Sequence, residues 1–264
     1  MPETTPAPQL LRVEGLQKSY GDFEALRDIT FTAKQGELVC IVGPSGCGKT
    51  TLLKCIAGLL APTSGTVELD GVPVTAPPKK MAVVFQEYGR SLMPWMTVRR
   101  NVELPLLRTT SKEERRARVD EALEAVGLGA AGDKFPWQLS GGMQQRVAIA
   151  RAIAYGPEVL IMDEPFAAVD AQTRADLEDL VRDIWKKFGV TVLFVTHDID
   201  ESVYLGERVV VLSMSPTYVQ EDLAIDLPAE RDQIGTRALP RFTELRTHVY
   251  EQIQRAKRGG ASAA

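Results

Sequence analysis

The chain is poor in cysteine, with only Cys40, Cys47 and Cys55 among 264 residues. So small and odd a count excludes a disulfide framework and fits free thiols in a reducing compartment. No apolar run reaches the roughly 20 residues that a bilayer-spanning helix needs, so the chain is not expected to cross a membrane. Basic residues do not cluster. The 31 Lys and Arg against 35 Asp and Glu leave a net charge of -4, which offers no basic face for nucleic-acid phosphates and argues against a nucleic-acid partner. Residues 1–9 lack the basic and apolar parts of a secretion signal and read as a disordered lead-in. Repeats and low-complexity blocks are missing as well. What is present is an ordinary apolar fraction of 44%, enough for one large α/β domain or two small ones.

Short apolar runs alternate with helical patterns. Leu11–Val13 and Ala25–Thr32 are the first strand candidates. Leu38–Val42, rich in β-branched residues and followed by a Gly-rich turn, reads as a buried parallel strand. Thr50–Leu60 reads as a helix. Thr66–Leu69 and Val72–Val74 flank Asp70-Gly71, the signature of a tight primed hairpin turn. Met81–Phe85 is a further buried strand. The pattern then turns helical. Ser111 and Glu114 form a predicted capping box for a helix to Val126, and Gly142–Tyr155 is a second helix. Together they predict a helical subdomain over about 88–156, inserted into an α/β core. Strands at Val159–Met162, Val190–Val195 and Arg208–Leu212 resume the core, with a helix carrying Leu177, Leu180, Val181, Ile184, Trp185 and Phe188 between the first two. Alternation of this kind predicts a parallel sheet. The core domain is expected over 10–225. The extension 226–264 is expected to hold one amphipathic helix, with Phe242, Leu245, Val249 and Ile253 on its face, and a disordered end from Gly259.

Three motifs carry chemistry. Gly43-Pro44-Ser45-Gly46-Cys47-Gly48-Lys49-Thr50 fits G-x-x-x-x-G-K-[ST] and sits between a strand and a helix. Glycines let backbone N–H groups curl around phosphate, the helix N-terminus adds partial positive charge, Lys49 can reach terminal phosphates and the Thr50 hydroxyl can ligate Mg²⁺. The loop extends through Thr51. Cys47 reads as a small residue filling a tight turn, with a redox-sensitive thiol as the alternative. Next, Val159-Leu160-Ile161-Met162 ends in Asp163-Glu164, two carboxylates at the carboxyl edge of a parallel sheet, where ligands bind. Asp163 can hold Mg²⁺ through water, and Glu164 can act as general base on an attacking water. Finally, Leu139-Ser140-Gly141-Gly142-Met143 is a second Gly-rich turn opening a helix, and so a second anion site.

Loop, Leu-Ser-Gly-Gly turn and Asp-Glu strand in this order resemble the ATP-binding subunit of an ABC (ATP-binding cassette) transporter over roughly Leu10 to Pro216. The resemblance implies a P-loop NTPase cassette: a RecA-like core, an antiparallel β subdomain and the inserted helices. It implies ATP and Mg²⁺ as ligands and a head-to-tail dimer, either a homodimer or a pseudo-symmetric pair of such subunits. Each ATP would lie between the loop of one subunit and Ser140, Gly141 and Gly142 of the other. By position, Tyr20 is the ring that stacks on adenine. The same resemblance implies that Gln86 senses Mg²⁺ and the attacking water, that Asp170 contacts the partner subunit and that His197 contacts the γ-phosphate. One departure stands out. Ala167-Ala168-Val169-Asp170 replaces the common Ser-Ala-Leu-Asp, which removes a hydroxyl at Ala167.

With no membrane span of its own, such an ATPase resembles importer subunits that work with a separate permease, bound at the cytoplasmic face of the membrane. A solute-binding protein is an expected further partner. The apolar stretch Tyr88, Leu92, Met93, Pro94, Trp95 and Met96 is the expected docking surface, in the cleft between core and helical subdomain. The alternative is that Trp95 fills the chain's own core. Pro94-Trp95 and the segment from Arg231 through Phe242-Thr243-Glu244-Leu245-Arg246 resemble ATPases of nitrate, sulfonate and taurine importers. An exporter or lipid-trafficking ATPase, and a soluble cassette ATPase of repair or translation, are the competing classes. A module that holds ATP without turnover fits poorly with intact Glu164 and His197.

Overall fold

The computed structural model describes residues 9–86 and 88–261. The lead-in up to residue 8 and the last three residues of the expected disordered end lie outside them. The chain divides into two compact units, one comprising Met1–Pro78 with Val190–Ala264 and the other Lys79–Gly189.

The first unit holds two sheets. In one, β1 (Gln9–Tyr20) pairs antiparallel with both β2 (Phe23–Lys34) and β4 (Ser64–Leu69), and β4 turns into β5 (Val72–Pro73). Asp70 and Gly71 both take positive φ, 53° and 71°, the primed turn that matches strand twist. Gln9 was expected in the disordered lead-in, but it pairs with Lys34 as the first residue of β1. In the other sheet, β3 (Leu38–Val42) lies between β8 (Thr191–Thr196) and β9 (Arg208–Leu212), all parallel, and β10 (Val219–Ala224) adds an antiparallel edge to β9. Every residue of β3 and β8 is buried, as expected of parallel strands covered on both faces.

Four helices of this unit follow from its sequence. The first, α1 (Lys49–Ile56), is shorter than the expected Thr50–Leu60. Gly58 takes a φ of 67° there, and the N–H groups of Leu59 and Leu60 both turn back to the Lys54 carbonyl, closing the helix. α7 (Ile199–Leu205) is capped at its end by Arg231, whose Nη1 donates to the carbonyls of Tyr204 at 2.7 Å and Gly206 at 2.9 Å. After α8 (Gly235–Ala238), α9 (Pro240–Ala261) buries Phe242, Leu245, Val249 and Ile253, packing on α7, β9 and β10. The helix runs through Gly259 and Gly260 rather than stopping before them. Each helical N–H needs only the carbonyl four residues upstream, so terminal glycines weaken a helix without ending it.

The second unit carries β6 (Met81–Val84) parallel to β7 (Val159–Asp163). Its helices are α2 (Tyr88–Ser91), α3 (Val98–Glu103), α4 (Lys112–Ala125), α5 (Gly141–Ala154) and α6 (Ala171–Phe188). Val98, Val102, Val119, Leu123, Val147 and Ala150 are buried where α3 and α4 pack on α5. Only half of the capping box at α4 forms. Ser111 Oγ accepts from the Glu114 N–H at 3.2 Å, but the Glu114 carboxylate takes Arg118 Nη2 at 2.7 Å. A charged donor one helical turn away outcompetes the neutral N–H of the cap.

Candidate functional site

The Gly43–Thr51 loop leaves β3 and runs into α1. Gly48, the residue before the helix, has φ 97°, a conformation that costs a side chain but not glycine. Lys49 is buried, and its Nζ donates to the carbonyls of Gly43 at 3.1 Å and Pro44 at 3.2 Å. Those bonds hold the ammonium inside the curl of the loop. The N–H groups of Ser45, Gly46 and Gly48 have no acceptor among the described residues. Unpaired donors at a helix N-terminus beside a fixed ammonium suit a polyanion. The Thr50 side chain is exposed and Thr51 half-buried. Cys47 is fully buried, and its Sγ would lie 2.9 Å from any Cβ placed on Gly43, so it fills the turn. Burial also pushes the Cys55 thiol up, against a weaker pull from Lys18.

β3 pairs with β8 so that Val42 faces Thr196. The next residues on these adjacent parallel strands are Gly43 and His197, so the loop and the histidine leave the sheet side by side. His197 is exposed. Its neighbours are fixed: Thr196 Oγ1 donates to Glu201 Oε2 at 2.5 Å, and Asp198 caps α7 by accepting the Glu201 N–H at 3.2 Å. In the same unit, Tyr20 ends β1 with half of its surface exposed, and the Lys18 ammonium sits 5.3 Å from its ring centroid. It is therefore not a core tyrosine.

The second unit repeats the arrangement. Val84 of β6 faces Met162 of β7, so Gln86 and the Asp163-Glu164 pair emerge at one strand end. Gln86 is exposed, Asp163 is buried and Glu164 is half-buried. Glu164 has φ 44°, a left-handed conformation that costs a non-glycine residue about 1–3 kcal/mol and clusters at functional positions. Ser140 caps α5, its Oγ accepting the Met143 N–H at 3.3 Å. Gly142 is forced by packing, since a Cβ there would meet Thr173 Cγ2 at 2.5 Å. Thr173 belongs to the first turn of α6, where Asp170 is the cap. The Thr173 N–H donates to Asp170 Oδ1 at 3.0 Å and its hydroxyl to Oδ2 at 2.7 Å, and these bonds hold the Asp170 carboxyl below the usual range. The Ala167 N–H turns back to the Glu164 carbonyl at 3.2 Å.

Two residues absent from the sequence reading organise the Leu92–Met96 stretch. Asn101 is fully buried in α3. Its Oδ1 accepts the Met93 N–H at 2.7 Å, and its Nδ2 donates to the Met93, Met96 and Thr97 carbonyls at 3.1 Å each. Arg151 of α5 ties Ser91, its Nη1 donating to the carbonyl at 2.6 Å and its Nη2 to Oγ at 2.7 Å. Asparagine is a poor helix former that favours bonding nearby backbone, and that was the available signal. Leu92 is buried while Trp95 is 69% exposed. So the loop clamped by Asn101 turns Trp95 outwards, and Trp95 does not fill the core.

The first unit thus holds a strand-loop-helix with an ammonium at its centre and a histidine on the adjacent strand, and the second holds a Gly-rich turn at the start of α5. The profile of the ABC transporter family matches residues 26–167, and the chain belongs to that family. The bicarbonate transport ATP-binding protein CmpC of Synechococcus elongatus is 45% identical over 93% of this chain. The chain spans only 38% of that relative's length. The nitrate import ATP-binding protein NrtD of the same organism is 44% identical over 89% of this chain and 86% of its own length. The cassette MJ0796, solved as a dimer in a post-hydrolysis state with ADP and Pi, superposes with a TM-score of 0.70 at 35% identity, covering 82% of this chain and 99% of that one. The fold is thus that of ABC ATPases: α/β, with an antiparallel sheet and an inserted set of helices.

Proposed function

We propose that this chain is the ATP-hydrolysing subunit of an importer for a small anion, acting as a pair of copies on a separate membrane permease. The observation that carries the reading is the loop itself: unpaired N–H donors around a Lys49 ammonium, with His197 leaving the adjacent strand. Import of an anion rests on the relatives named for nitrate and bicarbonate. Nitrate and bicarbonate are both small oxyanions, and that shared chemistry supports a small oxyanion as the cargo. A separate permease is the partner that such import systems imply, and among the described residues no helix is long and apolar enough to cross a membrane. Docking on that permease places the chain at the cytoplasmic face. A solute-binding protein outside would complete such a system.

In this reading the loop N–H groups and Lys49 hold the phosphate oxygens of ATP, and Tyr20 offers the ring face opposite Lys18 to adenine. Glu164 accepts a proton from the water that attacks the γ-phosphorus. The bond from that phosphorus to the bridging oxygen breaks, and ADP leaves with the electron pair. His197 donates a hydrogen bond to the γ-phosphate. The family resemblance assigns the Thr50 hydroxyl, Asp163 and Gln86 to Mg²⁺, which would neutralise phosphate oxygens when bound. No group of three His, Cys, Asp or Glu side chains suited to a metal occurs among the described residues. That fits an ion that binds mainly through the nucleotide and its own waters. Ser140, Gly141 and Gly142 supply the helix N-terminus that closes on the ATP of the partner copy, with Asp170 beside the same interface.

Trp95 is the anchor for the permease in this account. Exposed aromatic side chains held on a rigid loop dominate interface energetics, and their loss costs about 2 kcal/mol or more. Trp95→Ala is therefore expected to leave ATP binding by the isolated chain unchanged while reducing recovery of the permease about tenfold or more on co-purification from native membranes. Undiminished recovery would place the docking surface elsewhere. The same experiment on the wild type tests the function, because an importer permease must co-purify.

A further inference from the structure

A cavity of about 320 Å³ opens in the second unit, lined by Arg99 and Glu103 of α3 and by Lys112, Arg116 and Val119 of α4. Three cations face one carboxylate there, in a chain whose net charge is -4. The carboxylate is already engaged, because Arg115 Nε lies 2.7 Å from Glu103 Oε1. Arg99 pairs with Asp120. The other two cations are poorly served. Arg116 Nε is 3.8 Å from Asp120 Oδ2, beyond hydrogen-bond reach. The Lys112 ammonium makes no hydrogen bond or ion pair among the described residues.

Lys112 is also misplaced by local rules. It is the first residue of a 14-residue helix, where the macrodipole disfavours a cation. Glu114, two positions on, is drawn off to Arg118 at 2.7 Å. Glu113, next in the same turn, makes no ion pair with Lys112, so the ammonium is left facing the cavity. Arg99 is held in place on the other side. Its backbone N–H donates to the Gly132 carbonyl at 2.9 Å, and its guanidinium lies where a Cβ on Gly132 would touch it at 3.4 Å. Val119 is buried and gives the cavity an apolar wall.

We infer that this cavity binds a phosphate monoester, its dianion held by Lys112, Arg116 and Arg99 and its organic part against Val119. Two negative charges match the two under-paired cations, and a guanidinium fork suits phosphate oxygens. The monoester can be a soluble metabolite or the headgroup of an anionic lipid, since the chemistry recognised is the same. The cavity is built from α3 and α4, both of which pack on α5. It is separate in sequence from the Gly43–Thr51 loop and needs nothing from the nucleotide reading.

The test is calorimetric titration of the full chain with glycerol 3-phosphate, with ADP and Mg²⁺ at saturation so that any phosphate site at the loop is already competed. Wild type should bind, and added salt should weaken binding, as for any exposed charge pairing. Lys112→Glu with Arg116→Glu should weaken it about tenfold or more, while Lys112→Arg should retain it. Both altered residues are exposed, and circular dichroism checks that the double variant folds. In parallel, sedimentation with phosphatidylcholine vesicles, with and without phosphatidic acid, reads the lipid source. Binding confined to phosphatidic acid vesicles and lost in the double variant assigns the monoester to a lipid. Equal binding by wild type and double variant, or no binding of either probe, overturns the inference.

Discussion

Lys49→Ala is expected to lower ATP affinity about 10- to 100-fold, the value of one charge-assisted hydrogen-bonding group, and to take hydrolysis to background. The reason lies in the loop's geometry. Lys49 is buried, and its Nζ is fixed by the Gly43 and Pro44 carbonyls, so the positive charge at the centre of the curl has a single source. Lys49→Arg is not expected to rescue, because a planar guanidinium cannot occupy the space of an enclosed ammonium. Fluorescent nucleotide titration and phosphate release read the two effects separately. Unaltered affinity in Lys49→Ala would remove the loop from the nucleotide site.

Glu164→Gln is expected to slow hydrolysis by about 10²- to 10⁴-fold, the range for loss of a general base, with ATP affinity retained. Gln keeps the size of Glu and lacks only the proton acceptor. ATP should then accumulate a dimer, visible by size-exclusion chromatography. Backbone strain gives a second readout at the same position. Glu164 sits at φ 44°, so Glu164→Gly should raise thermal stability by about 1 kcal/mol while abolishing turnover. A fold that holds its strained residue at the proposed base trades stability for activity. Full activity in Glu164→Gln would assign the base to another group.

The parts of the fold legible in sequence were those set by local chemistry. The Gly43–Thr51 loop, the Asp70-Gly71 turn, the Gly-rich turn at Ser140–Met143 and the short buried strands each rest on a few consecutive residues. Long-range features were not legible. β1 and β2 each run to 12 residues, but register shifts at Gln9/Leu11 and Val13/Leu16 break the alternation, so only fragments read as strand. β10, with the sequence Val-Gln-Glu-Asp-Leu-Ala, is a half-exposed edge whose acidic residues hide it from a hydrophobic pattern. α7 is too short to show a period. Within the candidate site, residue types and order were legible, and the pairing of Val42 with Thr196 and of Val84 with Met162 was not. Nor could sequence separate Leu92 from Trp95, because Asn101 and Arg151 decide which of them turns inward, and both act through backbone carbonyls that no residue pattern encodes.

The central claim is that one catalytic site needs two copies of this chain: the loop of one and the Ser140 turn of the other. Mixing purified Ser140→Arg and Lys49→Ala chains tests it most directly. Each variant alone carries a lesion in both of its sites. In the mixed dimer one site holds both lesions and the other holds none. Half of the dimers in an equal mixture are mixed, so ATP hydrolysis should return to about a quarter of the wild-type rate. A mixture no more active than either variant alone would contradict a site shared between copies.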